Sequence, residues 1–334
     1  MSEESAVMTP VAVSDAPLLV SRGLTRHFQL GRQQTVHALD GVTLSIAPRE
    51  IVGLVGESGS GKSTYGKTLI GLHDKTAGEV IFDGETLPQR YRPPDFQRLA
   101  KRMQMIFQDP YSSLNPRMTV GEIIGEGLRL HTSDSPARIR DRVAAWLERV
   151  GLNGDHMSRY PHEFSGGQRQ RIGIARAMIL EPDFVVCDEP ISALDVSVQA
   201  QVINLLDSLK DAMGLTMLFI AHDLSMVRYV SDRMAVMYLG TLVELGPADD
   251  VFFRPKHPYT EILIASNPEP DPETERRRAS TTISGEIPSP VNVGEGCRFA
   301  SRCPKAMDIC QAVTPEMIPL ADVADRQVAC HLYT

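Results

Sequence analysis

The chain has 334 residues, 42% hydrophobic and 23% charged, with 34 basic against 42 acidic side chains and a net charge of −8. That acidic balance leaves no basic field to hold nucleic acid or an anionic membrane. No apolar run approaches the roughly 18 residues that span a bilayer, the longest clear one being Leu215 to Ala221, so the reading is a soluble chain. The start, with Ser2, Glu3 and Glu4 and no basic residue before Arg22, is unlike a secretory signal, and a cytoplasmic location is expected.

Residues 1–17 are small, acidic and proline-containing, and read as a loose tail. From Leu18 short apolar runs such as Ile51 to Val55 and Phe184 to Cys187 look like buried parallel strands. They alternate with helical segments such as Arg138 to Val150, an α/β pattern. After the first of these runs comes Gly56-Glu57-Ser58-Gly59-Ser60-Gly61-Lys62-Ser63, followed by a helix-compatible Thr64 to Leu72: a P-loop between strand and helix. Its glycines turn backbone N–H groups toward phosphates at a helix N-terminus, Lys62 reaches the β/γ-phosphates, and Ser63 is the magnesium ligand.

Further on, Ser165 begins Ser165-Gly166-Gly167-Gln168 and N-caps an expected helix from Gln168 to about Leu180. The strand Phe184 to Cys187 delivers Asp188 and Glu189 at its carboxyl end. There one carboxylate orients magnesium and the other serves as general base to the attacking water. Cys187 is read as a small buried hydrophobe. Five prolines between Arg254 and Pro272, then the polar Glu273 to Thr282, argue against a packed element and place a linker at 256–283. The other four cysteines, Cys297, Cys303, Cys310 and Cys330, are separated by 5, 6 and 19 residues. Four thiolates suit a [4Fe–4S] cluster or zinc, although zinc sites usually begin with a C-x₂₋₄-C knuckle that is missing; unmetallated thiols are the remaining alternative.

The P-loop, the Ser165-Gly166-Gly167-Gln168 segment 23 residues before Asp188, and the Asp188-Glu189 strand together resemble the ATP-binding cassette (ABC) family over residues 18–255. The resemblance implies roles for further positions. Gln108 matches a glutamine that senses magnesium and the lytic water and relays their state to a membrane partner. His222, 33 residues past Glu189, matches a histidine that contacts the γ-phosphate. Phe28 stands where the family often has a tyrosine stacked on adenine; a strand-core residue is its alternative reading. ATP would lie on Phe28, Gly56, Ser58, Gly59, Ser60, Gly61, Lys62, Ser63 and Thr64 of one subunit. Ser165, Gly166, Gly167, Gln168 and Asp195 of the other would complete the site across a head-to-tail pair.

The implied fold is a RecA-like P-loop domain with an antiparallel β-subdomain near 18–50, an inserted helical subdomain at about 90–180 and a small C-terminal extension at 284–334. Gln108-Asp109-Pro110-Tyr111 and the residues after it, His257-Pro258-Tyr259-Thr260, and the four-cysteine extension are similar to the oligopeptide/dipeptide importer branch. Gln168 points to its F-type ATPase subunit. That branch implies an iron–sulfur cluster, a sister ATPase, two integral membrane permease subunits, an external solute-binding protein, and a place on the cytoplasmic face of the cell membrane as a peripheral protein. The function implied is ATP hydrolysis driving peptide uptake. A nickel, glutathione or other small-solute importer is the alternative, and a non-transport ABC protein is disfavoured by the single uninterrupted cassette. With the P-loop and the cysteines in separate domains, Cys303→Ser is expected to loosen the extension and leave nucleotide binding intact.

Overall fold

The computed structural model of the chain describes residues 16–266, 288–321, 323 and 325–334. The expected tail up to residue 15, and the part of the expected linker from residue 267 to 283, lie outside them.

The chain opens with a long antiparallel hairpin, β1 (Leu19–Leu30) and β2 (Gln34–Ile46). β4 (Ala77–Phe82) and β5 (Glu85–Thr86) extend it to a four-stranded sheet in the order β2-β1-β4-β5, so this subdomain draws on residues well past the expected 18–50. The second sheet is built on β3 (Ile51–Val55), β6 (Met103–Ile106), β7 (Phe184–Asp188), β8 (Thr216–Ile220) and β9 (Arg233–Tyr238). β9, β3, β8, β7 and β6 run parallel side by side. Every residue of β3, β7 and β8 is buried, because each strand is covered on both faces. Val52, Leu54, Val186, Leu218 and Ile220 pack toward the antiparallel sheet. Their neighbours Ile51, Val55, Val185, Cys187 and Phe219 pack toward the helices. The period of two along each strand divides the chain's apolar side chains between two cores.

The helical layer holds α3 (Val120–His131), α4 (Pro136–Arg149) and α5 (Gly166–Met178). α4 starts two residues earlier than expected, since Ser135 caps it and Pro136 occupies the first turn, where a missing N–H costs nothing. Its apolar stripe, Ile139, Val143, Trp146 and Leu147, faces the core at helical spacing.

Two expectations are corrected. Within the expected linker, Pro258–Ala265 forms a helix, α9, with Tyr259, Thr260 and Ile262 buried. Pro258 starts it rather than breaking it, and the His257 Nδ1 accepts the Tyr259 N–H as the cap. Burial holds the His257 imidazole far below its ordinary range, to about 3, so it is neutral and free to accept that bond. The extension is also no separate body. Its strand Gln327–Val328 pairs antiparallel with β10 (Thr241–Pro247), and Ile318–Pro319 adds a further edge, completing an eight-stranded sheet. Its first residues bridge to β2 through Val36 and Val291. Inside this junction the buried Arg326 guanidinium lies 2.9 Å from the buried Glu244 carboxylate of β10.

Candidate nucleotide site

The carboxyl ends of β3, β8, β7 and β6 stand in one row, and each delivers part of the site. After β3 the P-loop folds over the start of α1 (Lys62–Leu69). Gly61 has φ 105°, and a Cβ there would meet the Ala38 carbonyl at 2.4 Å; Gly56, with φ 152°, would meet the Met237 carbonyl at 2.2 Å. Both positions therefore require glycine. The unpaired N–H groups of the first turn of α1 are thereby left for an anion. The Lys62 ammonium is buried and donates to the carbonyls of Gly56 (2.8 Å) and Glu57 (2.9 Å). Burial lowers its pKa, against the pull of Glu189, Asp188 and Glu57.

The Ser63 hydroxyl donates to Asp188 Oδ1 at 2.7 Å, and Lys67 lies 3.9 Å from the other oxygen. Burial raises the Asp188 carboxyl above its usual range, opposed by the Ser63 hydrogen bond and by Lys67 and Lys62. Two hard oxygen donors at this separation suit magnesium. Glu189 follows in the left-handed region, φ 45°, a strained conformation for a residue with a side chain. Its carboxylate accepts from Gln108 Nε2 at 2.7 Å and lies 3.7 Å from His222 Nδ1. The fold thus brings together Lys62, Ser63, Asp188, Glu189, Gln108 and His222. Cys187 beside them is wholly buried, its thiol pushed up to about 12 by burial, in keeping with a core role.

Ser165, Gly166, Gly167 and Gln168 form a second locus. Ser165 caps α5, its backbone N–H donating to Gln168 Oε1 at 3.0 Å. A Cβ on Gly167 would meet Val198 at 2.4 Å, so the glycine lets α5 approach α6 (Val196–Met213). Ser165 and Asp195 are both exposed, and Val196 beside Asp195 is 82% exposed. Phe28 belongs to neither apolar core. It is half-buried on β1, with the Arg26 guanidinium 4.3 Å above its ring and the His73 ring edge-on at 5.5 Å.

Two side chains to which the sequence assigned no role at the site touch the P-loop residue Glu57. Glu57 donates its N–H to the Tyr259 hydroxyl at 2.8 Å, and its carboxylate accepts two hydrogen bonds from Arg302, at 2.8 and 2.9 Å. The expected separation of P-loop and extension is therefore wrong, because the extension binds the loop directly. The position of Arg302, immediately before Cys303, was the available signal.

The four cysteines are free thiols, and neighbouring cysteines add to the raised pKa of Cys297, Cys303 and Cys330. Burial, more than these neighbours, pushes Cys297 up to about 11. Cys297, Cys303 and Cys330 each accept a backbone N–H from the residue two positions on, Phe299, Lys305 and Leu332. Amides aimed at sulfur favour thiolates, and gathered thiolates need a cation, so the donor set fits a metal group. Among the described residues no three of these sulfurs lie mutually within 4.8 Å; the trio that does so is His27, His37 and Asp40.

A phosphate-binding loop, paired carboxylates and a glycine-rich helix cap on a mixed α/β sheet define the class: a P-loop ATPase of the ATP-binding cassette type. The comparisons agree. The family model "ABC transporter" matches residues 39–192, and "Oligopeptide/dipeptide transporter, C-terminal region" matches residues 243–310. YkfD of Bacillus subtilis (strain 168) is 53% identical over 318 residues, covering 95% of this chain and 96% of its own. The oligopeptide transport ATP-binding protein OppF of Escherichia coli (strain K12) is 49% identical over 317 residues, covering 92% and 95%. The dimeric cassette MJ0796 in a post-hydrolysis state with ADP and Pi superposes with a TM-score of 0.64 at 27% identity, over 69% of this chain and 98% of its own. The chain belongs to the ABC transporter family, and it is an ATPase.

Proposed function

We propose that the chain is the ATP-hydrolysing subunit of an importer of di- and oligopeptides. It would work at the cytoplasmic face of the cell membrane with a sister ABC ATPase, two membrane permeases and an external binding protein. The observation that carries this reading is the union of a complete P-loop site with the peptide-importer C-terminal region in one chain about half identical to OppF. Among the described residues no helix is long and apolar enough to cross a membrane, so transport would rely on other chains. An apolar groove of about 280 Å³ beside Phe107, lined also by Leu72, Phe96, Met105 and Leu130, offers a permease helix a seat next to Gln108.

In this reading Lys62 and the first turn of α1 bind the phosphates of ATP. Ser63, Asp188 and Gln108 would hold magnesium, which neutralises phosphate charge when bound. Glu189 takes the proton of the attacking water. Gln108 holds one carboxylate oxygen and so aims the other, while His222 contacts the γ-phosphate. Phe28 would stack on the adenine of ATP. Ser165, Gly166, Gly167, Gln168 and Asp195, all exposed or half-exposed, would close over the ATP of the facing subunit. Recovery of the tagged chain from detergent-solubilised membranes should bring down two integral membrane proteins and a second ABC ATPase. Recovery with ribosomes or DNA instead would overturn the assignment.

Cys297, Cys303, Cys310 and Cys330 would hold a [4Fe–4S] cluster. The first two of these cysteines are separated by five residues rather than the two to four of a zinc knuckle, which favours the cluster over zinc. Protein made and purified without oxygen should be brown, with about four irons and matching acid-labile sulfide per chain. Stoichiometric zinc without iron would sink the cluster.

A further inference from the structure

Among the described residues Glu57 is the P-loop side chain tied to the C-terminal extension, and all of its polar groups are engaged. Its carbonyl accepts from Lys62, its N–H donates to Tyr259 of α9, and its carboxylate is clamped by the Arg302 fork. Arg302 is enclosed: its side chain is 4% exposed, it donates to the Tyr238 hydroxyl at 3.1 Å, and its guanidinium lies against the Tyr238 and Phe299 rings. The Glu57 carboxylate, which raises its pKa further, is its main partner. Glu57 also acts electrostatically on the Lys62 ammonium, which in the ATPase reading would meet the phosphates. An unpaired carboxylate on the phosphate-binding loop would repel a polyphosphate, and a loosened Glu57 would release one of the carbonyls that hold Lys62.

We infer that Arg302 is a positioning residue of the nucleotide site, and that through it the four-cysteine site sets the affinity of the P-loop for nucleotide. The inference rests on the ATPase reading of that loop. The connection is short. Arg302 ends a single 3₁₀ turn, Ala300–Arg302, bracketed by Cys297 and Cys303. The Cys297 carbonyl accepts from Ala300 at 3.0 Å, and the Cys303 N–H donates to the Ala300 carbonyl at 3.3 Å. Phe299 in the same turn packs on Tyr238 and Tyr259, with ring centroids 5.2 and 5.4 Å apart. When the two flanking sulfurs are held by a common group the turn is fixed and its arginine is aimed at Glu57. When they are released the turn keeps the packing of Phe299 but loses its anchor on either side, and the fork is held less firmly in its geometry.

The experiment measures the Kd of a fluorescent ADP analogue and of ATP with magnesium for full-length protein and its variants. Wild type binding neither nucleotide would sink the ATPase reading itself, so the inference is judged on ratios to wild type. Arg302→Met should weaken binding about tenfold, the scale of one lost charge-assisted contact. Arg302→Met with Glu57→Gln should bind within about twofold of Glu57→Gln alone, because no carboxylate is left to neutralise. A merely structural arginine would weaken both backgrounds equally, and that result overturns the proposal, as does wild-type affinity in Arg302→Met. Should Arg302→Met not fold, Arg302→Lys, which keeps the charge and loses the fork, carries the same comparison with a loss of about threefold. Cys303→Ser should raise the Kd in the wild-type background and add nothing in the Arg302→Met or Arg302→Lys background used. Additive losses would show that the cysteine site does not act through Arg302.

Discussion

Glu189→Gln should bind ATP and magnesium as the wild type does and release phosphate about 10² to 10⁴ times more slowly, the usual cost of losing a general base. The amide keeps the length of the side chain and an oxygen for the Gln108 N–H that now reaches Glu189 at 2.7 Å, but it cannot take a proton from water. The backbone is not disturbed further, since glutamine meets the same left-handed φ of 45° that glutamate already occupies. Contacts to phosphate persist because Lys62 and Ser63 are anchored elsewhere, on the P-loop carbonyls and on Asp188. ATP that is held but not cleaved would bridge the P-loop of one subunit and Ser165 of the next, so a closed two-ATPase assembly should accumulate. Light scattering of the complete complex in ATP and magnesium, beside the phosphate release rate, reads both effects. Hydrolysis at the wild-type rate would remove Glu189 from the role of base.

The second large effect is on stability. Arg326→Leu should cost about 3 to 5 kcal/mol, the penalty for leaving a buried charge without its partner. Arg326 and Glu244 are both fully enclosed, and the pair sits where the extension's strand joins β10. Glu244 also accepts the N–H groups of Lys256 and His257, so the loss reaches the entry to α9 as well. Among the described residues the Arg326 Nε and Nη1 have no partner, which makes the pair an imperfectly satisfied one. Adding Glu244→Gln to Arg326→Leu should therefore restore most of the stability, since the amide oxygen still receives a backbone N–H and the stranded charge is gone. Urea unfolding midpoints of the single and double variants check this. A single variant within about 0.5 kcal/mol of wild type, the range of an ordinary surface change, would show that the pair does not hold the junction.

The same contrast between local and distant contacts separates what was legible in the sequence from what was not. The P-loop, the Ser165 cap and the Asp188-Glu189 strand end were legible because each depends on residues adjacent along the chain: a glycine where φ must be positive, a hydroxyl three residues before the amide it caps, carboxylates just past a buried apolar run. Gln108 and His222 carry no such local signature. They became readable through their order and spacing relative to those motifs, and the sheet order brought them to Glu189.

By itself, then, the sequence determined the alternation of strands and helices, the phosphate-binding chemistry and the presence of four clustered cysteines. The tertiary structure alone decided that the extension completes the main sheet and that the proline-rich stretch begins with a buried helix. Proline density is a sound warning against helix interiors but says nothing against a helix whose first position is Pro258. The tertiary structure also decided that Glu57 is held by Arg302, 245 residues away. An ion pair leaves no periodicity in the chain, and its partner is chosen only when two cores and a shared sheet edge have placed both side chains in the same enclosed space, where a charge must be paired.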